Sequence, residues 1–163
     1  MHSKKEIQLI VIFSVLISLC LGNCSRSVSQ LKTNAETYCW KNVAIVGGGF
    51  ISGIEFHPNV PNLRYCRTDM GGAYRWDVNN KKWIPILDWL SYEDANLMGI
   101  ESIALDASNP DKVYLACGTY TNEYAPNGAI LKSEDRGETF QRIDMNIKFG
   151  ANEAGRGSGE RLA

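Results

Sequence analysis

Asp69 lies in the string Arg67-Thr68-Asp69-Met70-Gly71-Gly72, between an expected strand and two glycines. A carboxylate carried on a rigid pair of strands is well placed to act as a general base, and a turn this short should be unable to bury it. Further along, Trp89, Tyr92, Tyr120 and Tyr124 offer flat apolar faces that suit stacking on sugar rings, and Asn96, Asn122 and Asn127 offer amides for hydroxyls. Trp89, Tyr120 and Asn122 are the candidate binding residues of this set. Each has a plainer reading, in which Asp69 merely shapes its turn and the aromatics pack. Residue chemistry alone leaves both open, with the plainer one ahead for any single residue.

Other chemistries fit poorly. The only histidines are His2 and His57, and none of the five cysteines has the close spacing of a zinc site, so no metal is implied. Seventeen basic and 18 acidic side chains give a net charge of −1 with no basic run, which argues against nucleic acid. Residues 43–53, VAIVGGGFISG, imitate a dinucleotide-binding fingerprint. That motif needs a helix directly after its glycines, whereas Ile54 and Phe56 alternate as in a strand and Pro58 and Pro61 follow. The glycines read instead as a close passage of the backbone near the axis of the fold.

The elements that must position Asp69 come from a repeat. IEFHPNVPNLRY at 54–65 and IALDASNPDKVY at 103–114 superpose at a shift of 49, each a strand, a Pro/Asn/Asp turn and a strand. A second pair follows each copy, from Gly72 and from Gly128, with turns expected to differ by one residue. Four short antiparallel strands per repeat of roughly 50 residues make one blade of a β-propeller. The fold class is therefore all-β, with blade one at about 50–87, blade two at about 100–147 and a third opening near 159. Since closed propellers need about 4 to 8 blades, residues 43–163 are expected to form an incomplete propeller. Up-and-down connectivity places 67–72, 88–100, 119–127 and 149–159 at one end of the blades, the end expected to carry chemistry.

Residues 133–140, SEDRGETF, fit the Asp-box pattern S-x-D-x-G-x-T-[WF] of sialidase-like propellers. Asp135 should accept from the amides of its own turn, Ser133 and Gly137 should shape it, and Phe140 should tuck into the sheet. Residues 77–83, DVNNKKW, read as a degraded copy. Cys66 and Cys117 fall on second strands and read as small buried apolar residues.

Lys4 and Lys5 precede a short apolar run, the pattern of a secretory signal over residues 1–24, with 25–42 as a linker. Leu21-Gly22-Asn23-Cys24 is an imperfect lipoprotein-type box, which makes a lipid anchor at Cys24 the minority reading beside simple secretion.

The strings GGGFISGIEFHP, YCRTDMGGAYRWD, WIPILDWL, NLMGIESIALD, VYLACGTYTN, GAILKSEDRGETFQR and GANEAGRGSGERLA, in that order, resemble the N-terminal part of glycoside hydrolase family 74, the xyloglucan-active β-1,4-glucanases. The resemblance runs from about Val43 to Ala163. It implies two seven-bladed propellers enclosing a cleft, a polysaccharide substrate, no cofactor, a monomer, and hydrolysis with inversion. It also implies that Asp69, matching the Asp of that family's R-T-D-x-G-G segment, is the general base. The general acid is expected downstream of this sequence, which would leave the chain inactive by itself. The competing expectation is a non-catalytic Asp-box propeller, a binding module or sorting-receptor-like protein. A sialidase is a third reading, weakened because its arginine cluster and F/Y-R-I-P start are not seen.

Overall fold

The computed structural model of this protein describes residues 47–155 and 161–162. The signal, linker and Cys24 readings lie outside the described residues. Among the described residues there are eight strands: β1 Ile51–Phe56, β2 Arg64–Thr68, β3 Ala73–Asp77, β4 Lys82–Pro85, β5 Ile100–Leu105, β6 Val113–Cys117, β7 Ala129–Ser133 and β8 Gln141–Asp144. A 3₁₀ segment, Tyr92–Met98, leads into β5. The strands form two four-stranded antiparallel sheets in consecutive order, β1-β2-β3-β4 and β5-β6-β7-β8.

The shift of 49 holds through the first hairpin of each sheet: Ile54 pairs with Cys66 and Ile103 with Leu115. The second hairpin departs from expectation. Arg75 pairs with Ile84 and Lys132 with Gln141, so both hairpins enclose eight residues and run 57 apart. The one-residue difference therefore lies ahead of the third strand, where Gly72 corresponds to Ala129 and not to Gly128. In this register Trp83 corresponds to Phe140, and Asp77 to Glu134. The 77–83 turn is thus a different turn of equal length, in which Asp77 Oδ1 accepts from the Asn79 and Asn80 amides at 2.9 and 3.1 Å.

One core joins the sheets. Leu63, Tyr65, Ala73, Ile86 and Leu87 from the first repeat meet Ile103, Val113, Leu115 and Leu131 of the second, with Leu105 and Phe140 packed against them. Positions equivalent to that second set lie on the first sheet's other face: Ile54, Phe56, Arg64, Cys66, Tyr74 and Trp83. There Cys66, Tyr74 and Trp83 form a smaller cluster, Arg64 stacks over Trp76 at 4.4 Å, and Phe56 remains 61% exposed. Burial pushes the Cys66 thiol up to about 12, and that of Cys117 upward as well, so both behave as packing groups.

His57 ties the repeats together at the end away from Asp69. Its Nε2–H donates to the Asp106 carbonyl at 3.0 Å, while Nδ1 accepts from the Asn59 and Val60 amides. Where the dinucleotide motif would need a helix, β1 begins directly after Phe50.

Candidate active site

Asp69 occupies the four-residue turn between β2 and β3. Thr68 clamps that turn: its Oγ1–H donates to the Gly72 carbonyl and its oxygen accepts the Gly71 N–H, both at 2.8 Å. Tyr74 O–H donates to the Gly71 carbonyl at 2.9 Å. Contrary to the expectation of an open carboxylate, Asp69 is only 6% exposed. The cover comes from a segment earlier in the chain. Gly48 crosses Gly71 so closely that a Cβ there would sit 1.6 Å from the Gly48 oxygen. Gly49 takes φ +101, open to glycine and strained for other residues. Phe50 N–H then donates to Asp69 Oδ1 at 2.8 Å, and Asp69 N–H returns to the Phe50 carbonyl at 3.0 Å.

The neighbouring connections are laced to this turn by backbone bonds. Gly72 N–H donates to Met98 O, Gly118 N–H to Gly99 O, Ala151 N–H to Gly118 O and Asn152 N–H to Thr119 O. A Cβ on Gly99 would fall 2.7 Å from the Thr119 Cα and 3.0 Å from the Asp69 carbonyl oxygen, so these connections touch. Asn96 locks the contact, its Oδ1 and carbonyl accepting from the Thr119 N–H and O–H at 3.2 and 2.8 Å. Glu153 takes the N–H and O–H of Thr121, and these bonds hold its carboxyl below the usual glutamate range.

The candidate binding residues divide. Tyr120 lies on the connection laced to Asp69, with its hydroxyl accepting from Asn152 Nδ2 at 2.7 Å. Asn122 shares that connection, but its Oδ1 is used by the Tyr124 and Ala125 amides, so its acceptor shapes the loop. Trp89 does not join Asp69. Its ring stacks on Phe140 at 6.3 Å, and it shares a recess with Gly137 and Glu138 of the 133–140 turn. That turn closes the second sheet at the end away from the β2–β3 turn. Trp89 is carried there because the chain after β4 folds back over the neighbouring sheet, which position in the sequence does not show. Tyr92 and Tyr124 are the most exposed aromatics among the described residues, at 91% and 88%, and Trp89 is 52% exposed.

Sequence reasoning missed Phe50, Thr68 and Glu153, and it named Asn96 for sugar hydroxyls, whereas Asn96 holds Thr119. Only Thr68 carried a local signal, a hydroxyl residue opening a tight Asp-Gly turn. In the 133–140 turn, Ser133 O–H donates to Asp135 Oδ1 at 2.7 Å and its oxygen accepts the Gly137 N–H at 2.8 Å. Asp135 accepts from the Thr139 N–H and O–H at 2.9 and 2.5 Å. Gly137 has φ +87, and Phe140 packs against the core. Among the described residues no cluster of His, Cys, Asp and Glu could hold a metal ion, and no helix is long and apolar enough to cross a membrane.

No family model matches the chain. Whole-protein comparison is more informative. The chain is 50% identical over 153 residues to a xyloglucanase of Paenibacillus sp., covering 91% of this chain and 15% of that protein. It is 48% identical over 137 residues to an oligoxyloglucan-reducing end-specific xyloglucanase of Emericella nidulans, covering 84% and 17%. Among solved structures, the family 74 xyloglucanase of Xanthomonas campestris matches with a TM-score of 0.70 at 52% identity, over 78% of this chain and 18% of that one. The Niastella koreensis family 74 enzyme matches at 0.66 and 47%, over 75% and 18%. The chain thus spans less than a fifth of the length of these relatives. With two antiparallel sheets that match those enzymes in fold and about half of the aligned residues identical, it belongs to glycoside hydrolase family 74.

Proposed function

We propose that this chain is the part of a secreted xyloglucan hydrolase that carries the general base, Asp69. The observation that carries the reading is the near-50% identity to proteins named xyloglucanases along most of the chain. Local geometry supports it. The Phe50 N–H fixes the orientation of the Asp69 carboxylate, and the clamped turn holds it on rigid strands, as a base must be held to activate one water. Inversion requires a second carboxyl, the general acid, about 6.5 to 9.5 Å away across the sugar. We place that acid outside these 163 residues, so that the chain by itself is inactive.

We also propose that the two sheets are blades of a seven-bladed, Asp-box propeller, one of two in a monomer. The support is the pair of equivalent faces: what the second sheet buries against the first, the first sheet presents outward through Ile54 and Phe56. An outward apolar face of this kind calls for a neighbouring blade.

One observation favours the non-catalytic binding-module reading. Asp69 is buried and its carboxylate accepts the Phe50 amide, as a purely structural aspartate would. The two readings separate in a single assay on xyloglucan, using this chain continued to the length of its relatives, hereafter the extended chain. Release of branched oligosaccharides with inverted anomeric configuration is expected. Binding without release would favour the module.

A further inference from the structure

Glu101 is a bulged residue on β5. The β5–β6 register steps from Ile100↔Cys117 to Ser102↔Ala116, leaving Glu101 with no partner opposite, and a bulge of this kind re-aims its side chain. The first sheet has the same step between Ile51↔Thr68 and Gly53↔Arg67, with Ser52 as the extra residue. There the Ser52 hydroxyl accepts a guanidinium N–H of Arg67 at 2.8 Å. In both repeats, then, the bulge on the first strand turns a polar group onto an arginine.

In the second repeat that arginine comes from further along the chain. Glu101 Oε1 pairs with the Arg161 guanidinium, and the adjacent Ser102 Oγ accepts the Arg161 and Leu162 amides at 2.6 and 2.9 Å. Glu101 is only 8% exposed, and its Oε2 is buried with no hydrogen-bond partner among the described residues. A buried carboxylate with an unmet oxygen costs stability that a neutral side chain of similar size would avoid, so space filling does not account for it. The pair stands two residues from Gly99, which packs on Asp69 and Thr119. It also lines a cavity of about 290 Å³ together with Thr121, Lys148 and Glu153.

We propose that Glu101 is a positioning residue: its carboxylate, turned out of the ladder by the bulge, holds Arg161 and Leu162 against the second sheet and so fixes the Thr121–Glu153 wall beside the site. The catalytic consequence rests on the hydrolase reading, while the anchoring does not. Glu101→Gln, Arg161→Gln and the double variant of the extended chain test it. Each single change should raise KM for xyloglucan about fivefold to tenfold with kcat within about twofold, as loss of a substrate-positioning wall does. The double variant should be no worse than either single one. Amide exchange should quicken at Arg161, Leu162 and Thr121 and stay unchanged at 69–72. Unaltered KM and exchange in both single variants would overturn the proposal, as would a general loss of protection across both sheets. If the unsubstituted extended chain does not hydrolyse xyloglucan, the hydrolase reading fails, and the exchange pattern alone decides the anchoring.

Discussion

Phe50 and Asp69 hold each other twice, through the amide on the carboxylate and the amide on the carbonyl, across nineteen positions of sequence. This reciprocal bond orients the carboxylate without consuming its charge. Asp69→Asn keeps an oxygen for the Phe50 N–H and should therefore fold normally. In the extended chain it should lower kcat by roughly 10²- to 10⁴-fold while leaving xyloglucan binding within a few-fold. Steady-state rates and calorimetric binding check both halves, and an active variant would remove Asp69 from the mechanism.

Gly71 admits no side chain, because a Cβ would overlap the Gly48 carbonyl. Gly71→Ala should push the glycine segment off the turn, costing about 3 kcal/mol by overpacking, and should cut activity of the extended chain more than about 100-fold by misplacing Asp69, the proposed base. Thermal unfolding and rate measurements on the same preparation test this. Gly48→Ala is the control, since its Cβ would meet nothing within 4 Å.

Bonds from Thr139 and Ser133 bring the Asp135 carboxyl down to about 2 from an ordinary 3.8. A carboxyl lowered on folding contributes stability that is present above the unfolded value and lost as pH falls through the folded one. The melting temperatures of the parent and Asp135→Asn should therefore differ most above about pH 4 and converge towards pH 2. At neutral pH, Asp135→Ala should cost about 1 kcal/mol through lost turn bonds without affecting the rate of folded protein. Parallel melting curves from pH 7 to 2 would count against the assignment.

His57→Ala strands the Asn59 and Val60 amides and frees the Asp106 carbonyl. A loss of about 1 kcal/mol is expected from the lost bonds at these partly buried groups, read as a lower midpoint in urea. His57→Asn should recover part of it by offering one acceptor.

How much of this could be read in the sequence depends on the distance over which each feature is built. The pairing of Ile54 with Cys66 and of Ile103 with Leu115 follows from a hydrophobic pattern repeated at 49 residues. The Ser133–Asp135–Thr139 bonds are local, so the residue types announce them. The offset of 57 was hidden because Gly72 and Gly128 look alike while standing one position apart in the ladder. Burial of Asp69 was hidden because its cover arrives from Gly48 and Phe50, and nothing in RTDMGG refers to them. The stacking of Trp89 on Phe140 was hidden because the two lie 51 positions apart and only the fold brings them together.

The two sheets keep one internal register although four residues join β2 to β3 and eleven join β6 to β7. Length at that connection is therefore mechanically silent to the stack beneath it. Evolution can lengthen or prune this end of the sheets one repeat at a time, and a designer could graft foreign loops there, without renegotiating how the sheets pack.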